Sequence, residues 1–292
     1  MHGKRNIKMN IKKIEIIFLI FIFITPFPLY AQTTTVKKTD VEKDGLVGKV
    51  KQVKQEYFKA EDKFGEITTG EKEDEILLLF NDKGALIEHN EYNSYGSLKS
   101  KKICKYDDNG NQIENSWYKL DGSLSSKMTF KYDENGNQIE WNWYNSDGSL
   151  YSKSTYKYDE KGNQIEWNYY KSDGSLDSRR TSIYNDKGNE IEKNSYNSDG
   201  SLSSKMTSIY DEKGNLIEWN WYNSDGSLKS KWTYKYDDKG NTIKKNVYKQ
   251  DGSLDYTETY KYEYDKHGNW IKKIIYKNTI AVNIYTREIT YY

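Results

Sequence analysis

The chain has 292 residues, with 45 basic against 44 acidic side chains, three histidines and a single cysteine. Charges of both signs are interspersed, which excludes a general nucleic-acid binder built on a basic stripe. One cysteine, Cys104, excludes an internal disulfide.

Residues 1–31 read as a secretory signal peptide. Lys4, Arg5, Lys8, Lys12 and Lys13 form a positive n-region, Ile16 to Ile24 is an apolar run, and Leu29-Tyr30-Ala31 precedes the expected cut before Gln32. An uncleaved anchor is the alternative. Without this segment the chain carries a net charge of −3, keeps no proline and has no transmembrane segment. The absence of proline suits an uninterrupted strand ladder. An exported protein is expected: periplasmic, at the cell surface or secreted.

Residues 32–44 are polar and charged and are expected to form a linker. Residues 45–79 read as an N-terminal β cap, in which Val47–Phe58 alternates and Ile76-Leu77-Leu78-Leu79 covers the first sheet edge. From residue 80 to 276 a 26-residue unit repeats, marked by glycines spaced alternately 12 and 14 apart from Gly84 to Gly252, and then by Gly268. Residues 277–292 read as a C-terminal capping strand.

Each unit holds two turns. In residues 210–235, Asp211-Glu212-Lys213-Gly214 and Asn223-Ser224-Asp225-Gly226 fit a type I turn closed by a left-handed glycine, the three-residue hairpin loop with a G1 bulge. Between turns the residues alternate, with Ile217, Trp219 and Trp221 on one face and Glu218, Asn220 and Tyr222 on the other. Fifteen such turns join sixteen strands from about Ile76 to Tyr276. Counting outward from the turn pairs Ile217 with Thr233, Trp219 with Lys231, Trp221 with Lys229, Glu218 with Trp232 and Tyr222 with Leu228. The expected fold is all-β: a repetitive antiparallel hairpin meander, two strands per repeat, in a single-layer twisted or curled sheet or an open, solenoid-like shell. Both faces carry aromatics and neither is uniformly apolar, which argues against a two-layer sandwich.

Tyr234-Lys235-Tyr236-Asp237-Asp238-Lys239-Gly240-Asn241 and Tyr156-Lys157-Tyr158-Asp159-Glu160-Lys161-Gly162-Asn163 resemble the tyrosine-aspartate (YD) repeat of the Rhs family, over about residues 80–276. The resemblance implies β-sheet shells or fibres on exported bacterial proteins that deliver toxins or mediate surface contact, with carbohydrate binding sometimes proposed. Tyr184-Asn185 and Phe80-Asn81 depart from the motif, and no toxin segment follows the repeats. The hairpins also look similar to exported MORN-variant repeats.

Catalysis finds little support. Only His89 and His267 remain beyond the signal, and the serines lie in turns and strand columns without a nucleophile elbow. Glu88, Glu114, Glu140, Glu166, Glu192 and Glu218 form a column, expected to be a solvated charge ladder rather than an acid–base pair. Asn223-x-Asp225-Gly226 echoes a calcium loop, but no closing glutamate follows, so no metal and no cofactor are expected. Cys104 reads as a small apolar filler.

The aromatic column is the functional lead. Trp141, Trp143, Trp167, Tyr169, Trp219 and Trp221 occupy equivalent positions, interrupted at Lys193 and Ser195. Neighbouring platforms are expected about 10 Å apart, two strand spacings, suited to stacking an extended glycan. Packing under the stems of Lys229 and Lys231 is the competing reading. The expected function is a non-enzymatic binding scaffold at the envelope or outside the cell, with polysaccharide, peptidoglycan or an envelope protein as partner and no nucleic acid. The alternative is a structural or accessory component of a Rhs-like toxin or surface-contact system.

Overall fold

The computed structural model describes residues 38–292; the expected signal sequence and the first part of the expected linker lie outside them. A short helix, α1 (Asp40–Lys43), precedes β1 (Val50–Lys63), β2 (Glu66–Phe80), β3 (Leu86–Asn93), β4 (Leu98–Tyr106), β5 (Gln112–Tyr118) and β6 (Leu124–Tyr132). Then come β7 (Gln138–Asn145), β8 (Leu150–Tyr158), β9 (Gln164–Lys171), β10 (Leu176–Tyr184), β11 (Glu190–Asn197) and β12 (Leu202–Tyr210). The chain ends with β13 (Leu216–Asn223), β14 (Leu228–Tyr236), β15 (Thr242–Tyr248), β16 (Leu254–Tyr264), β17 (Trp270–Lys277) and β18 (Ile280–Tyr291). Each strand pairs antiparallel with its predecessor, so the meander expected from Ile76 to Tyr276 is present as β2 to β17.

The turns form as their sequence dictates. The Asp211 N–H donates to the Asn215 carbonyl at 2.9 Å and the Gly214 N–H to the Asp211 carbonyl at 3.1 Å. Gly214 sits at φ +85°, a conformation in which a side chain would clash with the backbone. The aspartate is chosen for its acceptors: its carboxylate takes the N–H groups of Lys213 and Asn215 at 2.9 and 2.8 Å and the Asn215 side-chain amide at 2.9 Å. The tyrosine before it has a separate task. The hydroxyls of Tyr132, Tyr158 and Tyr236 donate to the carbonyls of Gln112, Gln138 and Leu216 at 2.7 Å. Each bond ties two adjacent strands at the end where no turn joins them.

The register departs from the simple count. Tyr222 pairs with Leu228 as expected, but Trp221 then pairs with Ser230, Trp219 with Trp232 and Glu218 with Thr233. Lys229 is an extra residue, a β-bulge, and Ile217 is another, since Tyr210 pairs with Leu216 while Ile209 pairs with Glu218. The bulges move Trp232 onto the tryptophan face and Lys231 onto the glutamate face.

The sheet is not open. β1 pairs with β18 from Val50–Tyr291 to Lys59–Asn283 while also pairing with β2, so eighteen strands close into a barrel. This corrects the open, curled or solenoid-like shell; the sheet is one layer closed on itself. Each bulge raises local twist and bends its strand, and the bend recurs strand after strand. The two expected caps therefore meet each other instead of covering separate edges. Their seam is sealed by Ile284, fully buried and paired with Phe58 and Ile274. For a circular section, eighteen strands about 4.8 Å apart and tilted about 40° give a backbone diameter of roughly 35 Å.

The aromatic face is the inner one. Rings of Trp141 on β7 and Tyr169 on β9 lie 6.0 Å apart, although their strands are separated by β8, about 10 Å of backbone spacing. Side chains converge in this way on a concave wall and splay on a convex one.

The described part of the expected linker is structured. Thr39 caps α1 with a reciprocal Glu42 bond. The Tyr106 hydroxyl donates to Asp40 at 2.7 Å, and the Leu86 N–H does so at 3.0 Å. Further on, the Val47 N–H donates to Asn269 Oδ1 at 2.7 Å. Val41 and Leu46 pack with Val50, Val53 and Phe80. Val53 belongs to the inner face, so this segment lies within the barrel mouth at the end that carries the Tyr-Asp turns.

Candidate functional site: the aromatic inner wall

The aromatic rings singled out from the sequence form two patches on the inner wall. In the first, β7 supplies Trp141 and Trp143, and β9 supplies Trp167 and Tyr169. Between them β8 presents Ser152 and Ser154, paired with Trp143 and Trp141 on one side and with Lys171 and Tyr169 on the other. Small serines leave room for the rings to lean together over them, and Ser154 is 0% exposed. The platforms expected about 10 Å apart are thus a near-continuous surface: Trp141 to Tyr169 is 6.0 Å and Tyr169 to Trp167 is 5.7 Å between centroids. Tyr151 meets Trp143 edge-on at 5.3 Å, and the Arg180 guanidinium lies 4.4 Å above the Trp167 ring. Burial raises the Tyr156 pKa, opposed by its polar interactions with Trp141 and Trp167.

The second patch is built on β13 and β14. Trp219 stacks on Trp232 with centroids 4.5 Å apart and touches Trp221 at 6.1 Å. Lys229 caps Trp221 at 3.8 Å, as the packing reading expected. Lys231 does not; it reaches Glu218 at 2.7 Å on the outer face. Lys193 and Ser195, on β11, separate the patches. The structure therefore brings Trp141, Trp143, Trp167 and Tyr169 together, and Trp219 with Trp221, as two sites rather than one column.

Trp232, Tyr156 and Arg180 were not singled out from the sequence. Trp232 and Arg180 stand in a mid-strand column that varies from repeat to repeat, and assigning them to the tryptophan face requires the bulge that precedes each of them in its strand.

The outer face is chemically different. Burial works against the Glu140 carboxylate, but hydrogen bonds from Lys131, Lys153 and Asn142 outweigh it and hold the pKa at about 2. Glu114, Glu166, Glu192 and Glu218 have lysine partners at 2.6–2.8 Å. These acids are fixed in their charged form, the opposite of a general acid. His89 lies on β3 and His267 in the turn before β17; burial, aided by Lys102, lowers the His89 pKa to about 4. Among the described residues no group of three or more His, Cys, Asp or Glu side chains could hold a metal ion. Cys104 is buried, and burial raises its thiol pKa.

No family model matches the chain, and no curated protein matches it. Among solved structures it is similar to a porin-like protein from Bacteroides uniformis, with TM-score 0.43 and 13% identity over 82% of this chain and 96% of that one. A porin-like protein from Bacteroides vulgatus gives TM-score 0.37 and 13% identity over 83% and 98%. A TcdB2-TccC3 structure gives TM-score 0.23 and 11% identity over 75% of this chain; the match spans only 16% of that chain.

Proposed function

We propose that this protein is an exported, non-enzymatic barrel whose aromatic inner wall binds carbohydrate in the cell envelope or outside the cell. The observation that carries the reading is the ring surface running from Trp141 through Tyr169 to Trp167, with a second at Trp219 and Trp232. Flat apolar faces bordered by Arg180, Lys229 and serines suit sugar rings and their hydroxyls.

The closed shape supports a glycan over an envelope protein. A backbone diameter of roughly 35 Å leaves about 20 Å between facing side chains, which admits an extended chain but not a 100-residue domain with a radius of gyration of about 13 Å. The outer face supports a water-facing barrel. A bilayer-spanning barrel needs an apolar outer band, whereas strand after strand here carries glutamate–lysine pairs. A YD-repeat origin agrees with the Tyr and Asp roles seen in the turns.

The test is binding of the exported chain to a panel of polysaccharides and peptidoglycan, beside Trp219→Ala/Trp221→Ala and Trp141→Ala/Trp167→Ala. Binding that either double variant loses while keeping its β-sheet spectrum supports the reading. Binding to none of the panel, or binding undiminished in both variants, overturns it.

A further inference from the structure

Two inner-wall cations beside the seam differ from the paired lysines of the outer face and from inner-wall Lys193, which has Glu190 at 2.8 Å. On the outer face Lys131, Lys153, Lys205 and Lys231 each have a glutamate within 2.8 Å. On the inner wall beside the seam, Lys273 of β17 and Arg287 of β18 have no carboxylate of the described residues within ion-pair distance. Arg287 lies 3.5 Å from the Trp270 ring centroid and donates through Nε to Gln55 at 2.7 Å. Lys273 lies 5.1 Å from the same ring and 4.7 Å from that of Tyr285. Ring faces attract a cation without neutralising it.

The two charges also work against each other. Burial and then Arg287 push the Lys273 pKa down to about 8. Burial holds Arg287 at about 10. Both side chains are largely but not fully buried, so each keeps some surface open to solute in the barrel. The acids nearby are committed or remote: Glu258 accepts from the Tyr260 hydroxyl at 2.5 Å and faces Lys245 at 3.9 Å. Asp44, which follows α1, interacts with Arg287 only at Coulombic range. Tyr57, Tyr262 and Tyr285 complete the ionisable surroundings: Tyr57 pairs with Tyr285, Tyr285 with Lys273 and Lys273 with Tyr262.

We propose that Lys273 and Arg287 form an oxyanion-binding subsite on the inner wall, taking a carboxylate, sulfate or phosphate group. An oxyanion between them relieves their repulsion and accepts charge-assisted hydrogen bonds from the ammonium and the free guanidinium nitrogens. The geometry stands apart from the tryptophan patches; its glycan form, in which the oxyanion belongs to an acidic sugar, rests on the carbohydrate reading above.

The experiment uses the full exported chain and amine-selective labelling at pH 8, read by mass spectrometry at Lys273 and, as an outer-face control, at Lys231. Inorganic phosphate should slow Lys273 labelling at least fivefold, leave Lys231 unchanged, and lose its effect as sodium chloride rises. Arg287→Gln should weaken phosphate protection at least tenfold. Arg287→Lys, which keeps the charge, should restore part of it and guards against a variant that misfolds. Oligogalacturonate that protects at lower concentration than phosphate identifies an acidic glycan; protection by phosphate alone identifies a small free oxyanion. Equal Lys273 labelling with and without every anion, or unchanged protection in folded Arg287→Gln, overturns the subsite. Phosphate protection persisting where the glycan panel fails would overturn the carbohydrate reading and leave this subsite standing.

Discussion

Tyr57 and Tyr285 meet edge to face, ring centroids 4.7 Å apart, across the seam where the first strand joins the last. Their contact links residues from opposite ends of the sequence and depends on closure. Beside them Ile284 is fully buried.

Ile284→Ala should therefore destabilise the barrel by about 2–5 kcal/mol, the cost of a large-to-small change at a buried site. Urea unfolding measures it. An equivalent truncation at half-exposed Ile139 should cost far less, because that side chain remains in contact with solvent. Equal costs would mean that the seam contributes no more than the general surface.

The strand-end tyrosines give a finer test. Tyr158→Phe removes only the hydroxyl that donates to the Gln138 carbonyl, and should cost about 0.5–1.5 kcal/mol, as for one net hydrogen bond. Tyr236→Phe removes the matching bond to Leu216, several strands away. The two losses should add within about 0.5 kcal/mol, since the sites share no partner. Strong non-additivity in denaturant titrations would show that the stitches act as one cooperative ring.

Much of this was legible in the sequence, and the part that was not has a definite cause. Glycine spacing and the Asp-x-x-Gly-Asn pattern specify turns, because only certain residues supply positive φ and local acceptors. The number of strands between Ile76 and Tyr276 follows from them. The bulges at Ile217 and Lys229 do not announce themselves: an isoleucine and a lysine fit a regular strand equally well. Without them, simple counting pairs Trp219 with Lys231 instead of Trp232. Closure was hidden because β1 and β18 are far apart in sequence and outside the repeat. The rings of the candidate site were identified as residues, but their merging into a surface depends on wall curvature and on Ser152 and Ser154 beneath them.

Turn glycines should be costly to replace for a conformational reason alone. Gly226 sits at φ +83°, and a Cβ added there would meet open space, with nothing lying within 4 Å. Gly226→Ala should cost about 1–2 kcal/mol, the penalty of a left-handed alanine, and Gly226→Asn less, because asparagine tolerates this region. Thermal unfolding of the two variants checks the order; the reverse order would place the cost in crowding.

The outer ion pairs predict an acid limb. The folded pKa of Glu140 is about 2, below its ordinary 4.5. A carboxylate with a depressed folded pKa binds protons more readily when unfolded, so its stabilisation is complete above the unfolded value and is lost as pH falls through the folded one. Glu88, Glu114, Glu166, Glu192 and Glu218 are shifted in the same direction, so stability should decline progressively as pH falls from about 4.5 towards 2. Glu140→Gln should flatten this decline while changing little in its onset, since five other acids remain. High salt should weaken the dependence, because these pairs lie on the outer face of the barrel and are partly exposed. Melting temperature measured across this pH range, with and without salt, tests both points; a decline unchanged by salt would shift the cause to the half-buried Asp40 latch on Tyr106 and Leu86, whose carboxylate is also held below its usual range.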